Sequence, residues 1–143
     1  MNVEQPKKMM GELRRADRHL IGVHIRRRDY KTFVGGRYYF DDSVYRREMQ
    51  RVMDFRKDCV NKMSLVFSDE NIDETSFAEL PCRFMHGTEV EDQWMMSQCD
   101  YLMGPPSTFS AWASFMGKVP LARMRDKDYE LKPEDFAYRG LVA

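Results

Sequence analysis

The sequence has 143 residues, and its 23 Lys plus Arg balance 23 Asp plus Glu, so the formal net charge is zero with the histidines neutral. That length predicts one domain with an ordinary core, and zero net charge excludes a global field drawing the chain to nucleic acid or an anionic membrane. With 32% charged and 43% hydrophobic residues, and no apolar run near the roughly 18 residues of a membrane span, the composition excludes membrane-embedded and disordered classes.

Residues 1–19 are expected to form an N-terminal arm or helix, with the polar stretch from Leu13 to Leu20 as its helical part. Met1 to Met10 hold two lysines and no apolar h-region, so no secretory signal is expected there. Leu20, Ile21, Val23 and Ile25 then form an apolar, partly β-branched run that stops at Arg26, Arg27, Arg28 and Asp29. This is the pattern of a buried strand carrying charge at its carboxyl end. Lys31 to Phe40, with Gly35 and Gly36, predicts a loop or small hairpin. Tyr45, Met49, Val52, Met53, Cys59 and Val60 share one helical face, with Asp41 or Asp42 as the cap.

Leu65 to Phe67 predict a second strand ending in the acidic turn Ser68, Asp69, Glu70, and another short strand falls near Arg83 to His86. Thr88 and Glu91 form a capping box that opens a helix from about Val90 to Cys99. Asp100 to Met103 predict a third strand, broken by Gly104, Pro105 and Pro106. Ser107 then opens a helix that Gly117 terminates, and Leu121 with Ala122 predict a last strand. Strands alternating with helices argue for an α/β, Rossmann-like parallel sheet with flanking helices.

The chain contains no GxxxxGK[ST], GxGxxG, HExxH or CxxC motif. Phosphate chemistry therefore falls to arginines or helix ends, and no metal site is expected. The three cysteines, Cys59, Cys82 and Cys99, are an odd number and suit a reducing compartment. The 12 methionines read as adaptable core filler.

Ligands of open parallel sheets bind outside the carboxyl ends of the strands, where three polar clusters fall. The first is His24, Arg26, Arg27, Arg28 and Asp29, whose guanidinium forks match a pyrophosphate bidentately. The second is Ser68, Asp69 and Glu70, also readable as a plain turn. The third is Ser107, Thr108, Phe109 and Ser110, where helix N–H groups and hydroxyls can hold an anion; alone it is no more than a helix cap.

Together they carry a resemblance. Val23 to Tyr30, VHIRRRDY, resembles the VHIRRGDY motif of bacterial α-1,2-fucosyltransferases (glycosyltransferase family 11), and more distantly the HxRRxD element of α-1,6- and protein O-fucosyltransferases. FSDE at Phe67 to Glu70 resembles the family's FSDD. Asp92 to Trp112, DQWMMSQCDYLMGPPSTFSAW, resembles its D-x-x-x-M-S-x-C…N-S-T-F-S-W-W segment.

The resemblance implies transfer of fucose, with inversion, from GDP-β-L-fucose to a sugar hydroxyl, on a fold like the C-terminal donor domain of a GT-B glycosyltransferase. It gives Arg26 the donor β-phosphate and Asp29 the orientation of that arginine, the two assigned to catalysis. His24, Arg27, Asp69, Ser107, Thr108, Phe109 and Ser110 are implied donor-binding residues, and Asp92 the acceptor of guanine's hydrogen bonds. An ionised carboxylate only accepts, so it suits the N1–H and N2-amine edge of guanine and repels the acceptor edge of adenine. Arg28 stands where the motif has glycine, and Pro106 where asparagine is usual.

The motifs begin at Val23, which leaves no room before them for an acceptor-binding half. Residues 1–143 are thus expected to be a single GDP-fucose-binding domain without the acceptor domain, completed by a missing N-terminal half or a homodimer. The expected partners are GDP-fucose as donor substrate and a glycan acceptor, a β-galactoside, with no cofactor, metal, nucleic acid or transmembrane segment. The expected location is cytoplasmic, at the inner face of a membrane. Two alternatives come from other classes: a non-catalytic nucleotide-sugar-binding module, and a nucleic-acid module using Arg14, Arg15, Arg18 and the Arg26 cluster, which zero net charge disfavours.

Overall fold

The computed structural model describes residues 4–14, 18–55 and 61–140. Its elements run α1 (Glu4–Leu13), β1 (His19–Ile25), α2 (Asp42–Phe55), β2 (Lys62–Ser68), β3 (Cys82–Phe84), α3 (Glu89–Met96), β4 (Tyr101–Gly104), α4 (Thr108–Gly117) and β5 (Leu121–Arg123). The five strands form one sheet in the order β3-β2-β1-β4-β5, and every neighbouring pair is parallel. The direction of winding reverses between β1 and β4, which opens a crevice at their carboxyl ends.

Both faces of the sheet are covered, which is why its strands read as apolar runs rather than alternating ones. Ile21, Val23 and Ile25 of β1 face α2, where Tyr45, Met49, Val52 and Met53 pack with Phe77 and Leu131. Leu20 faces the other way, with Leu65, Phe67 and Leu102, against α1, α3 and α4. On that second face Gly22 leaves the space that Leu102 fills, since a Cβ there would lie 2.5 Å from Leu102 Cδ2.

Several expectations are corrected. The N-terminal helix ends at Leu13, where Leu13 to Leu20 was the expected helical part, and His19 and Leu20 already belong to β1. Met10 and Leu13 bury one side of α1, and this packing holds the helix in place. Lys31 to Phe40 makes no hairpin. Its backbone makes a 3-10 turn at Asp29–Lys31 and a second turn at Phe33–Gly36, inside which Val34 and Gly35 take left-handed dihedrals. Asp41 is the cap of α2, accepting the Val44 N–H at 3.1 Å, whereas Asp42 starts the helix and pairs with Arg27. The helix opened by the capping box stops at Met96, short of Cys99. Gly117 ends α4 as expected, and the left-handed position after it belongs to Lys118, at φ 53°. Cys59 and Val60 lie outside the described residues, as does Arg15.

Candidate functional site

Three loops meet above the crevice, and the shape of each follows from a local device. After β1 the chain turns at Arg26, whose backbone N–H donates to the Tyr45 hydroxyl at 3.4 Å. The next N–H, of Arg27, donates to Asp69 Oδ1 at 3.3 Å. The acidic turn after β2 thus serves as an acceptor for the arginine loop. Two carboxylates hold the Arg26 guanidinium, Asp29 at 3.3 Å and Asp69 at 3.8 Å. Partial burial opposes its charge, but the hydrogen bond and ion pairs outweigh it and raise the pKa above the ordinary arginine value. The same hydrogen bond from Arg26 is the main cause that lowers the Asp29 pKa.

Arg27 goes elsewhere. Its Nε donates to the Phe40 carbonyl at 2.8 Å, its Nη2 pairs with Asp42 at 2.6 Å, and its guanidinium lies 5.4 Å from the Tyr45 ring centre. Those contacts fix the start of α2, and Arg27 does not line the pocket described next.

His24 points from β1 toward α4, where its ring tilts against Phe109 at 5.1 Å. Burial, with the Arg26 charge adding to it, pushes its pKa down to about 3, so the imidazole is neutral in any ordinary buffer. Its Nδ1 has no hydrogen-bond partner among the described residues. Gly104 of β4 allows the strands this close, because a Cβ there would lie 2.8 Å from the His24 carbonyl oxygen.

Ser107 caps α4 by accepting the Ser110 N–H at 3.1 Å, and the two hydroxyls are 3.0 Å apart. The N–H groups of Thr108 and Phe109 have no protein acceptor among the described residues. They remain directed outward at the positive end of the helix dipole. Tyr30 ties this helix start to the arginine loop by donating its hydroxyl to the Pro106 carbonyl.

Asp92 sits in the first turn of α3 and is 7% exposed. Burial raises its pKa to about 6, with Glu91 adding to the effect and the Gly87 backbone and His86 opposing it. Its Oδ1 is buried with no hydrogen-bond partner among the described residues. A buried, unsatisfied carboxyl oxygen is costly unless a ligand completes it.

His24, Arg26, Phe67, Ser68, Asp69, Glu89, Asp92 and Phe109 line one pocket of about 200 Å³. The sequence-derived candidates His24, Arg26, Asp69, Asp92 and Phe109 therefore converge. Asp29 touches Arg26 from outside that lining, Arg27 is occupied elsewhere, and Ser107, Thr108 and Ser110 shape the helix start next to Phe109. A wider polar trough of about 500 Å³ continues past Ser68, Asp69 and Asp92 to His86 and Gly87. Glu89 was missed. A glutamate in the first helical turn is ordinary complement to the dipole, and nothing in the sequence marks it as lining a pocket. Among the described residues no helix is long and apolar enough to cross a membrane.

Two solved structures share this fold. NodZ, an alpha-1,6-fucosyltransferase soaked with GDP-fucose, matches with a TM-score of 0.50 and 14% identity, over 84% of this chain and 44% of that one. FUT1 of Arabidopsis thaliana, a point mutant in complex with GDP, matches with a TM-score of 0.50 and 13% identity, over 91% and 34% respectively. The chain spans less than half the length of either protein. At these identities the likeness is one of fold, and it agrees with the expected Rossmann-like parallel sheet with flanking helices. No curated protein matches the sequence. The sequence model described as Glycosyl transferase family 11 matches residues 3–139, a span that contains all the residues converging above the sheet, and the chain therefore belongs to glycosyl transferase family 11.

Proposed function

We propose that this chain binds GDP-fucose in the crevice above β1 and β4 and forms the donor-binding part of a fucosyltransferase that acts with inversion on the 2-hydroxyl of a sugar, a β-galactoside. The observation that supports this most is Arg26, an arginine braced by two carboxylates at the edge of a pocket that also contains an unsatisfied buried carboxyl. In this reading Arg26 and the open N–H groups of α4 hold the pyrophosphate. As the bond to C1 of fucose breaks, negative charge grows on the β-phosphate, and donors already aimed there stabilise it without reorganising. The neutral His24 adds a ring nitrogen with no other partner, and Asp92 takes the donor edge of guanine. The free thiols Cys82 and Cys99 suit a reducing, cytoplasmic location. Calorimetric titration with GDP, GDP-fucose and ADP tests the reading. Binding of the two guanine nucleotides and not ADP is expected, and absence of GDP binding refutes it.

Asp92→Asn separates nucleotide recognition from folding. The asparagine is expected to lose discrimination between GDP and ADP, because an amide offers donors as well as an acceptor. It should also change the pH dependence of stability. The folded pKa is raised to about 6 from the ordinary 3.8, so the folded state retains a proton that the unfolded chain has released. Ionised Asp92 then opposes folding, with no cost below pH about 4 and the full cost above pH about 6. Melting curves from pH 4 to 8 should show the parent losing stability relative to Asp92→Asn across that window. Parallel curves with unchanged discrimination would leave Asp92 as a first-turn helix residue.

The chain alone is expected to bind donor without turning it over. An inverting displacement needs a general base within hydrogen-bond reach of the attacking hydroxyl. The segment Tyr30 to Phe40 contains no Asp or Glu, Asp41 is occupied with Val44 and Ser43, and Asp42 with Arg27. Incubation with GDP-fucose and lactose, followed by mass spectrometry, checks this. Product at multiple turnovers would place the base at Glu89 of the pocket lining, at Asp41 or Asp42, or on a second copy of the chain.

A further inference from the structure

Beyond the pocket, the segment after β1 carries an aromatic tier whose rings do not line it. The Tyr30 ring, itself buried, stacks on Phe33 with centres 5.0 Å apart and planes 23° from parallel, and Tyr38 stands 6.5 Å from both. Phe33 and Val34 nevertheless remain 48% and 55% exposed. Val34 is also held at φ 49°, a left-handed conformation unfavourable for a β-branched residue. The loop retains it through the Gly35 N–H to Thr32 and Arg37 N–H to Val34 bonds, and through the Tyr30 hydroxyl on Pro106. A strained tip presenting two large apolar groups is unfavourable for folding alone and suits a surface built for contact.

The tier is continuous with the donor site. The Arg26 guanidinium lies 5.2 Å from the Tyr30 ring centre, and the next ring outward is Phe33. If Arg26 holds the phosphate bonded to the transferred sugar, the Phe33 ring stands within about 10 Å of that guanidinium, near enough for a sugar resting on it to receive the transferred group. An open aromatic face suits the C–H face of a pyranoside. Lys31 and Arg37, the latter over Tyr38 at 5.4 Å, offer N–H donors to its hydroxyls.

We propose that Phe33, backed by Tyr30 and flanked by Tyr38, is the platform on which the acceptor pyranoside stacks. The proposal rests on the reading of Arg26 as the phosphate-holding group, but its test does not. Lactose is titrated into the 143-residue chain by saturation-transfer NMR, with and without GDP, while GDP and GDP-fucose affinities are measured by calorimetry. Phe33→Ala, which uncovers one face of the Tyr30 ring and whose folding is checked by circular dichroism, is expected to weaken lactose binding about tenfold or more while GDP affinity changes less than about twofold, and Phe33→Trp should retain lactose. A parent chain giving no lactose signal, or Phe33→Ala binding lactose as the parent does, overturns the proposal. So does a Phe33→Ala chain that loses GDP-fucose but not GDP, because the platform would then belong to the donor's own sugar. Failure of GDP to bind refutes only the donor reading, and the lactose titration without nucleotide still decides the platform.

Discussion

Replacement of Arg26 by alanine is expected to weaken GDP binding by about 2 to 4 kcal/mol, roughly 30-fold to 1000-fold, because it removes a charge-assisted contact from a partly desolvated site. The size of the effect follows from how the side chain is held. Asp29 and Asp69 fix the guanidinium before any ligand arrives, so little rotamer freedom remains to be lost on binding. Truncation also leaves those two carboxylates facing an incoming pyrophosphate with no cation between them, and their repulsion adds to the loss. Arg26→Lys should recover part of the affinity but not the bidentate geometry. Calorimetry at fixed ionic strength measures this. An alanine variant that binds GDP like the parent would remove Arg26 from the site.

The second large effect is expected at Gly117, far from any ligand. A Cβ built there would lie 1.8 Å from the Ser97 carbonyl oxygen, which is backbone and cannot rotate away. Gly117→Ala must therefore push the end of α4 off the end of α3. Overpacking of this kind costs about 3 kcal/mol, which for a chain of this size lowers the melting temperature by roughly 10 °C. The displacement should also reach the site, since the Gln93 side chain of α3 donates to the Phe109 carbonyl of α4 at 3.2 Å. Circular-dichroism melts of parent and variant test the first effect, and GDP titration the second. A melting temperature within about 3 °C of the parent would mean that the two helices can part without cost.

Gly117 also shows where sequence reading runs out. A glycine near a helix end is the ordinary signal for a left-handed cap, yet here the lysine after it takes that conformation and the glycine is needed for a close helix approach. Only the distant Ser97 carbonyl explains it. Arg27 is similar. Beside Arg26 in one motif, it cannot be told apart by residue type, and the difference arises from the Phe40 carbonyl and Asp42, contacts made by the fold.

What was legible came from local chemistry. The apolar run ending in Arg26 was legible because a strand buried on both faces has no other pattern. The Thr88–Glu91 capping box was legible because its two hydrogen bonds lie within four residues, and both are present, at 3.2 Å and 2.9 Å. The boundaries of α1, the two turns after β1 and the burial of Asp92 were not legible. Each is decided by what packs against it from elsewhere in the chain.

The strand order has a consequence for how the molecule comes into being. The central strand precedes the other four in the sequence, yet its two partners follow much later, with Ile21 pairing to Ser64 on one side and to Tyr101 on the other. The five strands cannot close by hairpins in the interval, because each of their pairings is parallel and needs a crossover. A chain with such distant pairings folds slowly, and β1 lacks its second strand neighbour until β4 has emerged. Arg26, Asp69, Asp92 and the start of α4 come from four different segments, so the crevice exists only once the last of them docks, and a partly folded chain has no site to offer a nucleotide. Whatever binds in the crevice therefore stabilises the finished sheet over every intermediate, and ligand concentration becomes a factor in how much of the newly made protein survives.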